Sequence, residues 1–330
     1  MADEEGPPLY ISSSKVKELL NLQELISQIE TALKNFSNKT NSSVVQPVRT
    51  VVPVEQYGGF LGVMPAYSKE SESSSLGAKL VSFYSGNADL GLPTHTATIV
   101  LLDPRTGALL AILDGAVITE MRTAAASAVA TKYLSSEDVK VLTILGSGHQ
   151  ARSHLAALRL VRKFEEVRVW SRNQAHAEKF ACEHEGVKVC STVEEAVRGA
   201  DVIVTVTMAK EPVLFGKWVK EGAHVNAIGA CRPDQRELDD ELMQSSVVVV
   251  DSREAAEKES GDVILSKAVV AAEVGDVASG TVKIDCTKRT VFKSLGMAIE
   301  DVVSAQLVYD SYVKRKGSPH FLALSSSTCI

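Results

Sequence analysis

Near the middle of the chain, Gly146-Ser147-Gly148-His149-Gln150-Ala151 stands between an apolar run, "VKVLTIL", and an amphipathic one, "RSHLAALRLV". A G-x-G-x-x-A turn that closes a strand and opens a helix is built to hold a pyrophosphate. Gly146 permits the sharp turn, and Gly148 lets the backbone approach the anion. Ala151 keeps the helix close to the sheet, and the helix N-terminus presents unpaired N–H groups. The strand–loop–helix–strand context is what turns the pattern into a dinucleotide site. The next strand ends "VRVWSRN". Where NAD-preferring sites carry Asp or Glu for the ribose hydroxyls, this chain has Ser171, followed by Arg172 and Asn173. A hydroxyl and a guanidinium suit a 2′-phosphate that a carboxylate would repel, so the expected cofactor is NADP(H). The alternative makes Arg172 an ordinary surface charge.

Three basic residues interrupt apolar stretches: Arg49 in "QPVRTVVPV", Lys79 in "AKLVSFY" and Arg122 in "TEMRTAA". A buried cation is costly unless it meets an anion. Each therefore pairs with an acid of the chain or receives an anionic ligand, and the residues alone leave both open. No metal site is expected. The seven histidines are scattered without an H-E-x-x-H pairing, and the five cysteines form no C-x-x-C, which also excludes a disulfide framework.

The elements that must position these groups fall into three regimes. From Tyr10 to about Asn35 the three- and four-residue spacing of Leu and Ile predicts a helix, with Ser12 to Ser14 as caps. Extended pieces follow: "QPVRTVVPV", "GFLGVMPAY", "AKLVSFY", and "THTATIVLLDPRTGALLAILDG" with a tight turn at Asp103–Gly107. These predict an antiparallel sheet. An alanine-rich helix over Ile118–Tyr133 opens the second regime. There, strands at Val141–Leu145, Val167–Trp170, Val187–Cys190, Val202–Thr207, His224–Ile228 and Val247–Val250 alternate with helices. The helices start near Gln150, Asn173, Val193, Pro233 and Arg253. Alternation of this kind predicts a parallel sheet covered on both faces. "SLGMAIEDVVSAQLVYDSYVKR" reads as one long helix, and the tail after it as loosely held.

A 330-residue chain, 45% hydrophobic and 23% charged, accommodates two ordinary soluble domains. A net charge of −6 argues against nucleic acid and anionic membrane surfaces as partners. No run is long enough for a membrane span, and "MADEEGPPLY" lacks the order of a signal peptide, so a cytoplasmic location is expected.

Beyond these readings, "QPVRTVVPV", "LGVMPAY", "ITEMRTAAASAVATKYL", "LGSGHQARSH", "GADVIVTVT", "NAIGACRPDQRELDDELM", "ESGDV" and "VFKSLGMAIED" resemble the ornithine cyclodeaminase/mu-crystallin family, from about Tyr10 to Tyr312. The resemblance implies an α/β fold with a doubly wound Rossmann sheet and a second α+β domain. The Rossmann domain would span 126–302. The second, for substrate binding and dimerisation, would combine 1–125 with 303–330 around an antiparallel sheet. It implies NADPH-dependent reduction of the C=N bond of small cyclic ketimine carboxylates, thyroid hormone as a further ligand, and a homodimer; the alternatives are an NADPH-regulated hormone-binding protein or lens protein with little catalytic role, and, ranked lower, an alanine dehydrogenase. Such a reduction needs a cationic grip on the carboxylate, a protonated C=N and a hydride donor over one face. By this resemblance Arg49 and Lys79 face the carboxylate, Lys79 doubling as proton donor, and Arg122 sits at the cofactor–substrate junction. Thr94 and His95 touch the cofactor from the other domain, with an ordinary strand histidine as the alternative for His95. Gly146, Ser147, Gly148, His149 and Gln150 form the phosphate loop; Ser171, Arg172, Asn173 and His176 flank the adenosine phosphate. Thr207, Met208 and Ile228 line the nicotinamide side, where plain core packing is the alternative for Met208 and Ile228. Ser294 lies near the cofactor, and Phe60, Phe83, Cys231 and Glu259 near the hormone or substrate. The family's deaminases carry an aspartate after "IG", where this chain has Cys231, which ranks ornithine cyclisation below reduction. Gln235 is a second departure bearing on specificity.

Overall fold

The computed structural model describes residues 8–40, 42–69 and 74–316. The tail, including Cys329, lies outside the described residues. The chain divides into two units. One comprises Met1–Gln28, Ser43–Thr119 and Ala298–Ile330; the other comprises Ile29–Ser42 and Glu120–Met297.

In chain order the first elements are β1 (Tyr10–Ile11), α1 (Ser13–Leu19), α2 (Leu22–Ser37), β2 (Val44–Val45), β3 (Thr50–Val54), β4 (Gly59–Ser68), β5 (Ser75–Tyr84), β6 (His95–Leu102) and β7 (Leu109–Asp114). Among the described residues the strands order as β1-β7-β6-β5-β4-β2, with β3 also on β4. All neighbours are antiparallel except β1 and β7. The expected turn joins β6 to β7: the N–H of Gly107, at φ +75°, donates to the Asp103 carbonyl, and the Asp103 carboxylate accepts the Arg105 N–H. Period-two burial runs through β4 and β5. Gly62, Met64, Ala66, Ser68, Ser75, Gly77 and Lys79 are buried between half-exposed neighbours. The long predicted helix, Ala298–Lys316 (numbered α11 below), packs on β4, β5 and β6. A Cβ on Gly77 would sit 2.5 Å from the Val100 carbonyl of β6, so the strands approach too closely there for any side chain.

The single helix expected from Tyr10 is instead β1, α1 and α2. Leu20 is extended (φ −84°, ψ 104°), and the Asn21 side chain accepts the Glu24 N–H to start α2 afresh. Ser12 occupies the cap position, but its hydroxyl meets Ser14 and caps no backbone N–H.

The second unit receives most of α3 (Gly115–Leu134), then β8 (Val141–Leu145), α4 (His149–Val161), β9 (Glu166–Trp170), α5 (Gln174–Glu183), β10 (Val187–Val189), α6 (Val193–Val197), β11 (Val202–Thr205), β12 (His224–Ala227), α7 (Asp240–Ser245), β13 (Val247–Val250), α8 (Arg253–Glu259), α9 (Gly261–Ser266), β14 (Val270–Glu273), α10 (Val274–Ala278) and β15 (Thr290–Lys293). Its strands order as β10-β9-β8-β11-β12-β15-β13-β14, every pair parallel. From β8 the chain winds outward to β9 and β10, then returns to β11 on the other side. The switch point of this doubly wound sheet is therefore the turn that follows β8. The helix expected near Pro233 is absent: the chain stays irregular until Asp239, whose carboxylate accepts the Leu242 N–H and starts α7. β14 and β15 are additions to the sequence reading. No described helix is long and apolar enough to cross a membrane.

Small residues let α3 lie close to the sheet, and polar bonds pin it. The Ser127 hydroxyl lies 2.9 Å from His154 Nε2, and Asn226 Nδ2 donates to Thr131 Oγ1. His224 bridges Thr290 Oγ1 and Asn226 Oδ1. Burial lowers the pKa of His154 to about 4 and of His224 to about 3. Both are neutral when folded, whereas an unfolded histidine takes up its proton near pH 6.5. Stability from this source is complete above about pH 6.5 and is lost as pH falls toward 4, by about 2–3 kcal/mol per histidine by pH 4.5. Denaturant unfolding at stepped pH should show this loss, and His154→Gln should reduce its slope. An unaltered slope in the variant would contradict the assignment.

Candidate active site

The glycine turn is held by both neighbouring strand ends. Gly146 has φ +118°, its N–H donates to the Trp170 carbonyl at 2.8 Å, and a Cβ would stand 2.8 Å from the Val206 carbonyl. Only glycine fits. Gly148 occupies the N-cap of α4 in extended conformation without a side-chain cap, and an added Cβ would meet nothing within 4 Å. A 13-residue helix thus begins on a bare backbone with open space over Gly148. That arrangement fits a dinucleotide pyrophosphate. Gln150 contributes a buried Oε1 with no hydrogen-bond partner, while its carbonyl lies 2.7 Å from His154 Nδ1. Ser147 is half-buried; His149 is exposed, with Nδ1 3.1 Å from Glu120.

Because Gly146 bonds to Trp170, the residues after β9 begin beside the turn. Ser171 is half-buried, and Arg172 and His176 are exposed. Among the described residues no carboxylate pairs with Arg172. Asn173 is committed to the fold: its Oδ1 accepts the Ala175 N–H and caps α5.

The carboxyl ends of β11, β12, β13 and β15 are organised by three buried acids that the sequence reading did not single out. Glu237 accepts from the Thr205 hydroxyl, from the Thr207 N–H and hydroxyl, and from the Gly229 N–H. Asp262 Oδ1 accepts the N–H groups of Glu237 and Leu238, and its Oδ2 lies 3.1 Å from the ammonium of Lys293, both residues fully buried. Asp251 Oδ2 accepts the N–H groups of Leu295 and Gly296 and the Ser294 hydroxyl. Gly296 (φ +79°) gives room to the buried Arg122, whose Nη1 would lie 2.5 Å from a Cβ there. Met208 follows Thr207 in a left-handed conformation (φ +56°) and is 47% exposed, so it is not core. Ile228 is half-buried and Cys231 exposed. The Arg232 carbonyl accepts the Gly261 N–H, which brings the Cys231 loop beside the end of α8 at Glu259.

In the first unit Lys79 points to the buried face of β5, 2% exposed, with Nζ 2.6 Å from Oδ2 of the fully buried Asp301 in α11. Asp301 is another acid the sequence reading passed over, although an acid inside "GMAIEDVV" has to be paired. Phe83 lies four residues along β5, hence on the same face about 13 Å away. It stands opposite Phe60 and His95 in the register. The rings form a row, Phe60 to Phe83 at 5.6 Å and Phe83 to His95 at 4.6 Å between centroids. Burial among these neighbours lowers the pKa of His95, and its Nδ1 lies 3.1 Å from the Thr94 hydroxyl. Arg49 directly precedes Thr50, the partner of Val63; one step further in that register is Met64, the partner of Lys79. Arg49, Lys79, Phe60, Phe83 and His95 therefore belong to neighbouring segments of one sheet.

The sequence profile of the ornithine cyclodeaminase/mu-crystallin family matches residues 8–316. The ketimine reductase mu-crystallin of Rattus norvegicus is 56% identical over 311 residues, covering 94% of this chain and 99% of that one. The structure of Thermococcus litoralis Δ1-pyrroline-2-carboxylate reductase with NADH and L-proline superposes with a TM-score of 0.88 at 38% identity, covering 93% of this chain and 98% of that one. An archaeal alanine dehydrogenase dimer with bound NAD gives 0.86 at 34% identity, covering 94% and 97%. A glycine turn at the switch point of a parallel sheet, an antiparallel sheet carrying a buried lysine, and near-complete matches at these identities lead to one conclusion: the chain belongs to the ornithine cyclodeaminase/mu-crystallin family.

Proposed function

We propose that this chain is an NADPH-dependent reductase of the C=N bond in small cyclic ketimine carboxylates, yielding cyclic amino acids. The observation that carries the reading is Lys79, a buried ammonium fixed by Asp301 on the sheet face that also bears the aromatic row. Such a cation suits a small carboxylate. The relatives named as ketimine and pyrroline-carboxylate reductases support the same chemistry. In this reading the first unit binds substrate and the second binds cofactor.

The nicotinamide supplies hydride to the imine carbon, and the nitrogen must gain a proton. Arg49 and Lys79 hold the carboxylate and so orient the ring. Lys79, able to donate from Nζ, is the source assigned to the proton. Arg122 serves the junction of cofactor and substrate, and Ser294 shares the loop that accommodates it. Purified protein with NADPH and a six-membered cyclic ketimine carboxylate should consume reduced nicotinamide, and Lys79→Met should lower kcat/KM by about 10²-fold or more. Wild-type protein that binds NADPH yet turns over no cyclic imine would reject the reading.

NADPH is assigned over NADH from Ser171 and Arg172, since a guanidinium without an acid partner can pair with a 2′-phosphate. Arg172→Ala should weaken NADPH about tenfold while leaving NADH unchanged. An unaltered ratio of the two affinities would return the cofactor choice to NADH.

The Phe60–Phe83–His95 row favours a second occupant of the substrate side, an aryl amino acid such as thyroid hormone, whose carboxylate would take the same cations. The hormone should inhibit imine reduction competitively with the ketimine; inhibition independent of ketimine concentration would place it elsewhere. The outer face of the antiparallel sheet, with Val52 and Leu80 exposed, is the surface assigned to homodimer formation.

A further inference from the structure

Glu237 is fully buried, and its two carboxyl oxygens accept four hydrogen bonds. Oε1 takes the Thr207 N–H at 2.5 Å and the Thr207 hydroxyl at 2.6 Å. Oε2 takes the Thr205 hydroxyl and the Gly229 N–H, both at 2.7 Å. The acceptor capacity of the group is filled. The four donors come from the ends of β11 and β12, which lie level because Thr205 pairs with Ala227.

Sheet pairing secures those strands up to Thr205 and Ala227, and backbone bonds carry it one step further, from the Val206 N–H to the Leu145 carbonyl and from the Ile228 and Gly229 N–H groups to the Thr205 carbonyl. Glu237 adds the bonds that tie Thr207 to Gly229. Past its strand end each segment adopts a conformation the ladder does not dictate: Met208 is left-handed, and a Cβ on Gly229 would stand 2.4 Å from Glu237 Oε1 and 2.7 Å from the Met208 nitrogen. Glu237 is itself anchored, since Asp262 accepts its N–H at 2.8 Å and faces the buried Lys293. Taking a carboxyl group out of water is costly. This one is spent on the crest of a doubly wound sheet, the region where such sheets bind ligands.

We propose that Glu237 is a positioning residue for the nicotinamide half of the dinucleotide, acting through Thr207 and Gly229 on the segments that carry Thr207, Met208 and Ile228. The proposal rests on the reading of this chain as a nicotinamide-dinucleotide reductase. It separates two halves of one site. The glycine turn and Ser171–Arg172 serve the adenosine and phosphate half without Glu237, whereas the nicotinamide half depends on it.

Glu237→Gln keeps the shape but turns an NH2 toward two of the four donors whichever way the amide is set. Binding of NADPH and of 2′,5′-ADP, the adenosine half alone, should be measured for the wild type and the variant, with kcat for cyclic imine reduction alongside. The expected result is about a tenfold loss in NADPH affinity and a similar fall in kcat, with 2′,5′-ADP affinity unchanged. A group that merely stabilises the fold would weaken both ligands together or neither, and either result overturns the proposal. Should Glu237→Gln fail to fold, Thr205→Val removes one of the four bonds at a fully buried side chain outside the cofactor-lining set and should give the same split at smaller amplitude; no split there overturns it equally. Wild-type protein that binds both ligands without reducing imines would refute the reductase reading while the binding split still decides the role of Glu237. Wild-type protein that binds neither ligand would remove the dinucleotide reading and this proposal with it.

Discussion

Lys79 and Asp301 stand 2.6 Å apart with almost no solvent on either side chain, and the arrangement of the first unit follows from that pairing. A lysine within a strand can stay charged away from water only if an acid reaches it. The acid arrives from α11, more than two hundred residues later in the chain, the helix that packs on β4, β5 and β6. Period-two burial gives Lys79 the same face as the Phe60–Phe83–His95 row, so one strand pattern sets both a cationic and an aromatic surface.

The second unit applies the same constraint differently. Its buried acids serve backbone donors as much as charges: Glu237 holds the ends of β11 and β12, Asp251 the loop after β15, and Asp262 the segment that delivers Glu237. Each sits at or near the carboxyl ends of parallel strands, Glu237 on β11 and β12 and Asp251 farther along the sheet at β13 and β15. The turn itself is left with few side chains. Gly146 cannot carry one, Gly148 has none in the way, and α4 begins without a side-chain cap. Dense polar bonding thus lies on one side of the crest and bare backbone on the other.

Much of this was legible in the sequence because it is local. The strand Val141–Leu145, the glycine turn, the hairpin at Asp103–Gly107 and the final helix each follow from spacing and turn residues within a short window. Legibility stopped where distance began. Asp301, Glu237, Asp251 and Asp262 read as ordinary acids on or beside helices and strands, and their partners lie far off in the chain or on backbone. The break at Leu20–Asn21 was hidden because apolar periodicity runs through both helices, while an Asn side chain restarts the second. The helix near Pro233 was expected from alternation alone; there the chain instead supplies loop residues and the Glu237 carboxyl to the crest. The family resemblance supplied the substrate chemistry, which no spacing rule contains.

The most direct test of the account is a crystal structure of the protein with NADPH and a cyclic amino-acid product. The product carboxylate should lie within hydrogen-bond reach of Lys79 and Arg49, with its α-carbon against the nicotinamide C4 and the 2′-phosphate on Arg172. A carboxylate bound away from both cations, or one held remote from the nicotinamide, would contradict it.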